Sequence, residues 1–146
     1  MGEGVSPRIR RLIDERKLTR ARVNRNLSVK EVKGAIYDLN RARKSISDKD
    51  FKWATIQAYY AMFHSARALL NSRGYREKSH RALLTALEEL FLKSGDLEPE
   101  IIEDLSNAKD LREEADYGMV FSETSAIEVV EKAGNFIQRV KEILKI

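Results

Sequence analysis

The sequence predicts an all-α fold, an antiparallel up-and-down bundle of four to six helices. Three observations lead there. Apolar residues recur at three- and four-residue spacing through most of the 146 residues, the signature of a helix with one buried face. The two prolines, Pro7 and Pro99, stand where helices start. The links between periodic stretches are short, so successive helices are expected to pack antiparallel. No apolar-polar alternation is long enough to read as a strand.

The elements follow in order. SPRIRRLIDERKL is read as a short first helix, with Ser6 as N-cap, Pro7 in the first turn, and Val5, Ile9, Leu12 and Ile13 inward. SVKE at residues 28–31 has the form of a capping box. From it Val32, Ala35, Ile36, Leu39 and Ile46 continue one face to about Ser47. Asp50 caps a third helix, the central one, in which Ile56, Tyr59, Phe63, Ala66 and Leu70 recur until Gly74, a suitable C′ residue. Ser79 opens a fourth with Leu83, Leu84, Leu87, Leu90 and Phe91 inward, stopping near Gly95. After Leu97-Glu98-Pro99 a fifth runs to Tyr117-Gly118. Ser122 or Thr124 caps a sixth with Ile127, Val130, Ile137, Val140 and Leu144 inward. The expected core is Trp53, Ile56, Tyr59, Phe63, Leu87, Leu105, Leu111, Ile137 and Val140. Residues 1–27 read as a basic N-terminal helix and tether, and residues 28–146 as the bundle.

Composition closes several routes. A chain without cysteine has no disulfide framework, thiolate zinc site or cysteine nucleophile. No histidine or carboxylate cluster has metal-ligand spacing and no glycine-rich phosphate loop is present, so neither metal nor cofactor is expected. No apolar run approaches the roughly 20 residues of a membrane span, and the expectation is a cytoplasmic protein with no membrane contact. MGEGVS fits the myristoylation pattern formally, but Glu3 fits it poorly and chance is the better account.

The net charge of +4 is unevenly spread: residues 1–50 carry fourteen Lys/Arg against seven Asp/Glu. RIRRLIDERKLTRARVNR, residues 8–25, holds eight Lys/Arg against two acids. Three roles stay open for it: phosphate contact, a solvated tether, and dimer contact through acidic helices.

Chemistry-bearing residues gather in three places. In AYYAMFHSAR, Tyr60, His64 and Arg67 lie at i, i+4 and i+7 and share one helix face beside the apolar seam. They are either boundary residues with satisfied hydrogen bonds or a polar ledge for a ligand. Ser79 and His80 stand at a helix N-terminus, where backbone N–H groups favour an anion and capping alone also accounts for Ser79. Leu105, Ala108, Leu111 and Ala115 already supply the core stripe of the fifth helix, so Arg112, Asp116 and Tyr117 of LREEADYG, residues 111–118, lie beside it. Phosphate or an RNA backbone is the ligand these residue types suit.

The strings YYAMFHSARALL, SHRALL and LREEADYG, taken together, resemble the HEPN (higher eukaryotes and prokaryotes nucleotide-binding) domain over roughly residues 28–145. The resemblance implies an antiparallel helical bundle, usually dimeric. Many members are metal-independent ribonucleases encoded beside a minimal nucleotidyltransferase, as toxin and antitoxin. Their motif is an arginine followed, after four to six residues, by a histidine; the arginine binds phosphate and the histidine assists attack by the 2′-hydroxyl. Arg112 matches that arginine by its place on the penultimate long helix. The position five residues later is Tyr117, preceded by Asp116, and no histidine follows. Arg73 and His80 satisfy the spacing but straddle Gly74, off the matching helix. The motif is degenerate, and activity requires His64 or His80 to fold over against Arg112.

The resulting expectation is a homodimeric protein that binds nucleotide or RNA phosphate through Arg112, Tyr60, Arg67, Ser79 and His80, beside a nucleotidyltransferase partner. One alternative is a metal-independent endoribonuclease toxin with Arg112, His64, Asp116 and Tyr117 as its catalytic groups. Another is a dimeric interaction module without a ligand. Tyr117 is also a candidate for modification by the partner, by similarity to members whose motif carries a nearby tyrosine.

Overall fold

A computed structural model describes residues 5–146; the acyl-acceptor pattern at Gly2 lies outside them. The described residues hold six α-helices: α1 (Pro7–Asp14), α2 (Arg25–Ser47), α3 (Phe51–Ser72), α4 (His80–Leu87), α5 (Pro99–Tyr117) and α6 (Glu123–Leu144). The fold is the all-α antiparallel bundle that the periodicity predicts. Its centre is α3, which packs against α2, α5 and α6. From α3, Ala54, Ala58, Ala61, Met62, Ala66, Leu69 and Leu70 are buried. Small side chains there let the neighbouring helices approach closely, so Leu83, Leu105, Phe136 and Val140 close the core against them.

The helix ends follow local chemistry. Ser6, Asp50, Ser79 and Ser122 each accept a backbone N–H in the first turn of their helix. Gly74 ends α3 at φ +80°, and Gly95 adopts φ +86° beyond α4. A side chain at Gly74 would be strained by that angle and would meet the Ala21 carbonyl oxygen at 3.0 Å.

Four expectations are corrected. First, α2 starts at Arg25 with Asn24 as its cap, not at Ser28. Ser28 is buried and its hydroxyl donates to the Ala68 carbonyl, 3.0 Å away, while Glu31 of the supposed capping box turns to His64. Second, two short strands exist, β1 (Leu18–Arg20) and β2 (Tyr75–Glu77), paired antiparallel with Thr19 opposite Arg76. Three residues are too few to show an alternation. Their ladder forms because the αL turn at Gly74 brings the chain back past residues 18–21.

Third, Trp53 is 48% exposed and not in the core. It lies seven residues before Tyr60, on the half-exposed face of α3, with Lys52 over its ring. Fourth, Ile127 is 44% exposed, on the outer face of α6 with Glu131. Of the other expected core residues, Ile56, Tyr59, Leu87, Leu105, Ile137 and Val140 are buried, and Phe63 and Leu111 only partly. The fourth helix also changes character: after Leu87 it widens into a π-helical turn, Glu88–Leu92.

The N-terminal segment packs on the rest. Ile9 is buried, β1 pairs with β2, and Arg8 bridges to Glu88 at 3.3 Å and Glu89 at 2.9 Å. No helix among the described residues is long and apolar enough to cross a membrane.

Candidate functional site

The expected site residues fall into two clusters along α3. The first is built around Arg112 near the C-terminal end of α5. Its Nη2 donates to the Tyr60 hydroxyl at 3.0 Å and lies 3.4 Å from an Asp116 carboxylate oxygen, its i+4 neighbour. The guanidinium stands 5.5 Å from the ring centres of Tyr60 and Tyr117 and 6.0 Å from that of Tyr59. Three aromatic rings around one cation are a favourable electrostatic setting for it. Arginine carries five N–H donors; the described contacts use Nη2, and Nε is buried without a partner. The side chain is 20% exposed, whereas Tyr117 is 74% exposed at the turn before Gly118.

His80 joins this cluster from α4. Its Nδ1 lies 3.1 Å from the Tyr59 hydroxyl, and its Nε2 is buried without a partner. Burial pushes the imidazole down to about 4, helped by the Lys109 charge, so it is neutral at neutral pH. Burial likewise pushes the Tyr59 phenol up to about 12, with Tyr60 adding to the effect. Tyr59 therefore keeps its proton, and when it donates to Nδ1 the ring's own proton sits on Nε2. Among the described residues, His80 Nε2 and Arg112 Nε are the buried side-chain polar atoms that lack a partner, and Tyr59 touches both side chains. Buried polar groups are otherwise almost always satisfied, so two orphans at one place mark a site.

The second cluster faces α2 and β2. His64 Nδ1 is 2.8 Å from Glu31 and its Nε2 is 3.7 Å from Asp38. The Glu31 hydrogen bond holds the imidazole above its usual range. Burial acts to raise Glu31, but the bond to His64 and its charge bring that carboxyl below its ordinary value; burial alone raises Asp38. Arg67 lies against Glu77 of β2, with its Nε 3.2 Å from the carboxylate, and over the Phe63 ring at 4.6 Å.

Of the predicted residues, the structure thus brings Arg112, Asp116, Tyr117, Tyr60 and His80 together. His64 and Arg67 share the face of α3, but their described partners are acidic side chains of α2 and β2 rather than Arg112. Ser79 caps α4 one residue from His80. Arg73 bends towards the π-helical turn, donating to the Leu90 carbonyl at 3.4 Å and lying over Phe91, so its spacing to His80 has no counterpart in contact. Sequence reasoning missed Tyr59 as a polar bridge, having placed it only in the core. It also missed Glu31, Asp38 and Glu77 as the carboxylates that engage the ledge. The Tyr59-Tyr60 pair was the available signal, since two adjacent ring hydroxyls on one helix face different neighbours.

The two histidines give opposite pH dependences. Between pH 6.5 and about 4 the unfolded chain protonates His80 and the folded chain resists. Stability from this group is complete above 6.5 and falls as pH drops through that window. His64, raised in the fold, contributes stability that is complete below 6.5 and is lost as pH rises through its elevated value. In urea titrations, His80→Gln is expected to lose less stability on acidification than the unsubstituted chain; parallel curves for the two would contradict the burial of this ring.

These features define a class: an all-helical bundle with a tyrosine-ringed arginine on its penultimate long helix. A family model, the HEPN domain, matches residues 30–144. The chain belongs to the HEPN family. A UPF0332 protein of Archaeoglobus fulgidus is 37% identical to it over 117 residues, covering 70% of this chain and 89% of the relative. The protein named "Putative toxin MJ0605" of Methanocaldococcus jannaschii is 30% identical over 109 residues, covering 74% and 81%. "Putative toxin MJ0142" of the same organism is 25% identical over 130 residues, covering 88% of each chain.

Proposed function

We propose that this HEPN-family protein binds a nucleotide or RNA phosphate at Arg112, as a toxin-like protein of the kind its relatives' names describe. The observation that carries the reading is the pair of orphaned nitrogens, Arg112 Nε and His80 Nε2, on two side chains that both lie against Tyr59. Arg112 is held in place by Tyr60 and Asp116 and retains donors for an anionic oxygen, the geometry in which guanidinium groups take phosphate. Tyr117, exposed beside it, offers a ring face on which a base stacks. Asp116 fixes the guanidinium and is not the phosphate ligand, since two anions would repel.

The reading includes a homodimer and a nucleotidyltransferase partner. Tyr117, Met119, Val120 and Phe121 are all exposed at the α5–α6 turn, an apolar strip that suits a protein contact. The Tyr117 hydroxyl is the group such a partner would modify. The test is equilibrium binding of AMP and of a short oligoribonucleotide, with light scattering on the same samples. Arg112→Ala is expected to weaken binding about 10- to 150-fold, the loss of a charge-assisted contact of about 1.5–3 kcal/mol, while the mass stays at twice 16.8 kDa. Unchanged binding, with a mass that falls to the monomer, would favour an interaction module instead.

One observation favours a second reading, a metal-independent endoribonuclease. His80 follows no arginine at the family spacing on its own helix, but it joins the Arg112 cluster through Tyr59 and burial keeps it neutral. In the tautomer whose Nδ1–H donates to the Tyr59 hydroxyl, Nε2 carries the lone pair that would accept a proton from a 2′-hydroxyl. RNA cleavage in the presence of a chelator, lost in both Arg112→Ala and His80→Ala, would promote this reading; an inert protein that still binds would retain the first.

A further inference from the structure

A cleft of about 470 Å³ separates α1 from the start of α4. Four cations line it, Arg8, Arg11, Lys17 and Arg81, against one carboxylate, Glu15. Lys78 stands at its edge, since its backbone N–H donates to the Lys17 carbonyl at 2.9 Å. Arg8 is paired with Glu88 and Glu89, and Arg11 with Glu15 at 3.1 Å. Among the described residues, Lys17, Lys78 and Arg81 have no carboxylate partner, and all three are exposed. Like charges from the residue before β1, the residue after β2 and the first turn of α4 are thus held together without a carboxylate partner.

We propose that this cleft binds the phosphodiester backbone of a single-stranded RNA whose neighbouring nucleotide occupies the Arg112 cluster. The inference rests on the phosphate reading of Arg112 and extends it from a mononucleotide to a strand. Position supports the extension: Ser79 lines the cleft and the next residue, His80, is the α4 member of the Arg112 cluster. Both sites therefore border the first turn of α4, the turn a strand held at Arg112 would follow into the cleft. The lining supports the ligand class. Beyond the cations it offers Ser79 and Thr85 hydroxyls and the small apolar surface of Leu12 and Ala82, with no aromatic ring. Such a surface gives neither a stacked base nor a bulky apolar side chain an anchor, and it reads a repeating anion by charge.

The experiment measures binding of a labelled oligoribonucleotide of about 12 nucleotides and of AMP, for the unsubstituted protein, Lys17→Ala/Arg81→Ala and Arg112→Ala. Both cleft residues are exposed, and circular dichroism confirms that the double variant folds. Removing two phosphate contacts lowers the log–log salt slope by about 1.4, so the double variant's deficit for the strand is about sevenfold larger at 50 mM than at 200 mM salt. Its AMP affinity is unchanged. Equal strand affinity and equal slope in the double variant overturn the proposal, and so does a parallel loss for AMP, which would make the effect general to anions. AMP binding that ignores Arg112→Ala, beside a strand deficit in the double variant, is the separate failure of the Arg112 reading and supports the cleft.

Discussion

Replacing Phe136 by alanine is expected to cost about 3–5 kcal/mol of folding stability. Phe136 on α6 is fully buried, among the largest side chains in the molecule without accessible surface. Neighbours from a helix packed on α3 cannot collapse into the vacated volume, so the lost transfer energy is joined by a cavity term. Phe63 has the same side chain but stands half-buried on the rim of α3, with Arg67 over one face. Phe63→Ala is accordingly expected to cost clearly less. Urea unfolding of the two variants measures the difference, and equal losses would contradict the position of α6 as a core element.

Arg67→Ala is the second large effect, expected at about 3–5 kcal/mol. The Glu77 side chain is 4% exposed and that of Arg67 19%, so the substitution leaves a carboxylate out of water with its main partner gone. The penalty comes from that stranded charge, not from the attraction that is lost. Removing both groups together, in Arg67→Leu/Glu77→Leu, is expected to cost less than Arg67→Ala alone, because well-packed apolar side chains replace a buried pair at little net cost. A loss under about 1 kcal/mol for Arg67→Ala would place the pair with exposed ion pairs. The consequence reaches the candidate site. Glu77 is in β2, and Arg67 ties β2 to the face of α3 that carries Phe63, Tyr60 and Tyr59; loosening it disturbs the support beneath Arg112.

The pairing also explains why Arg67 was legible only as a cation on the right face. Its i+7 relation to Tyr60 follows from helix geometry, while Glu77 lies ten residues on, beyond a turn, and belongs to a strand too short to announce itself. His64 is the parallel case: its spacing placed it on the ledge, but Glu31 was accounted for as half of a capping box. Asn24 took that role four residues earlier than the spacing suggested, which freed Glu31 for the histidine.

The sequence by itself determined the helices, their order and their caps other than that of α2, because each rests on contacts within one or two turns. Serine or aspartate accepting the first free N–H, proline at a helix start and glycine at a positive φ are local devices, and apolar periodicity identifies the buried stripe wherever the helix is long. It also determined the Arg112–Asp116 pair, which is one helical turn. Only the tertiary structure decided what surrounds that pair. Tyr60 comes from 52 residues away to bond Arg112; His80 reaches Tyr59 across 21. The α1–α4 cleft joins residues 8–17 to residues 79–85. Periodicity cannot specify such meetings, because side chains on the rim of a stripe satisfy the pattern whether they face solvent or a neighbouring helix. Which of them become buried, and so change their protonation or lose a partner, is fixed by how the helices cross.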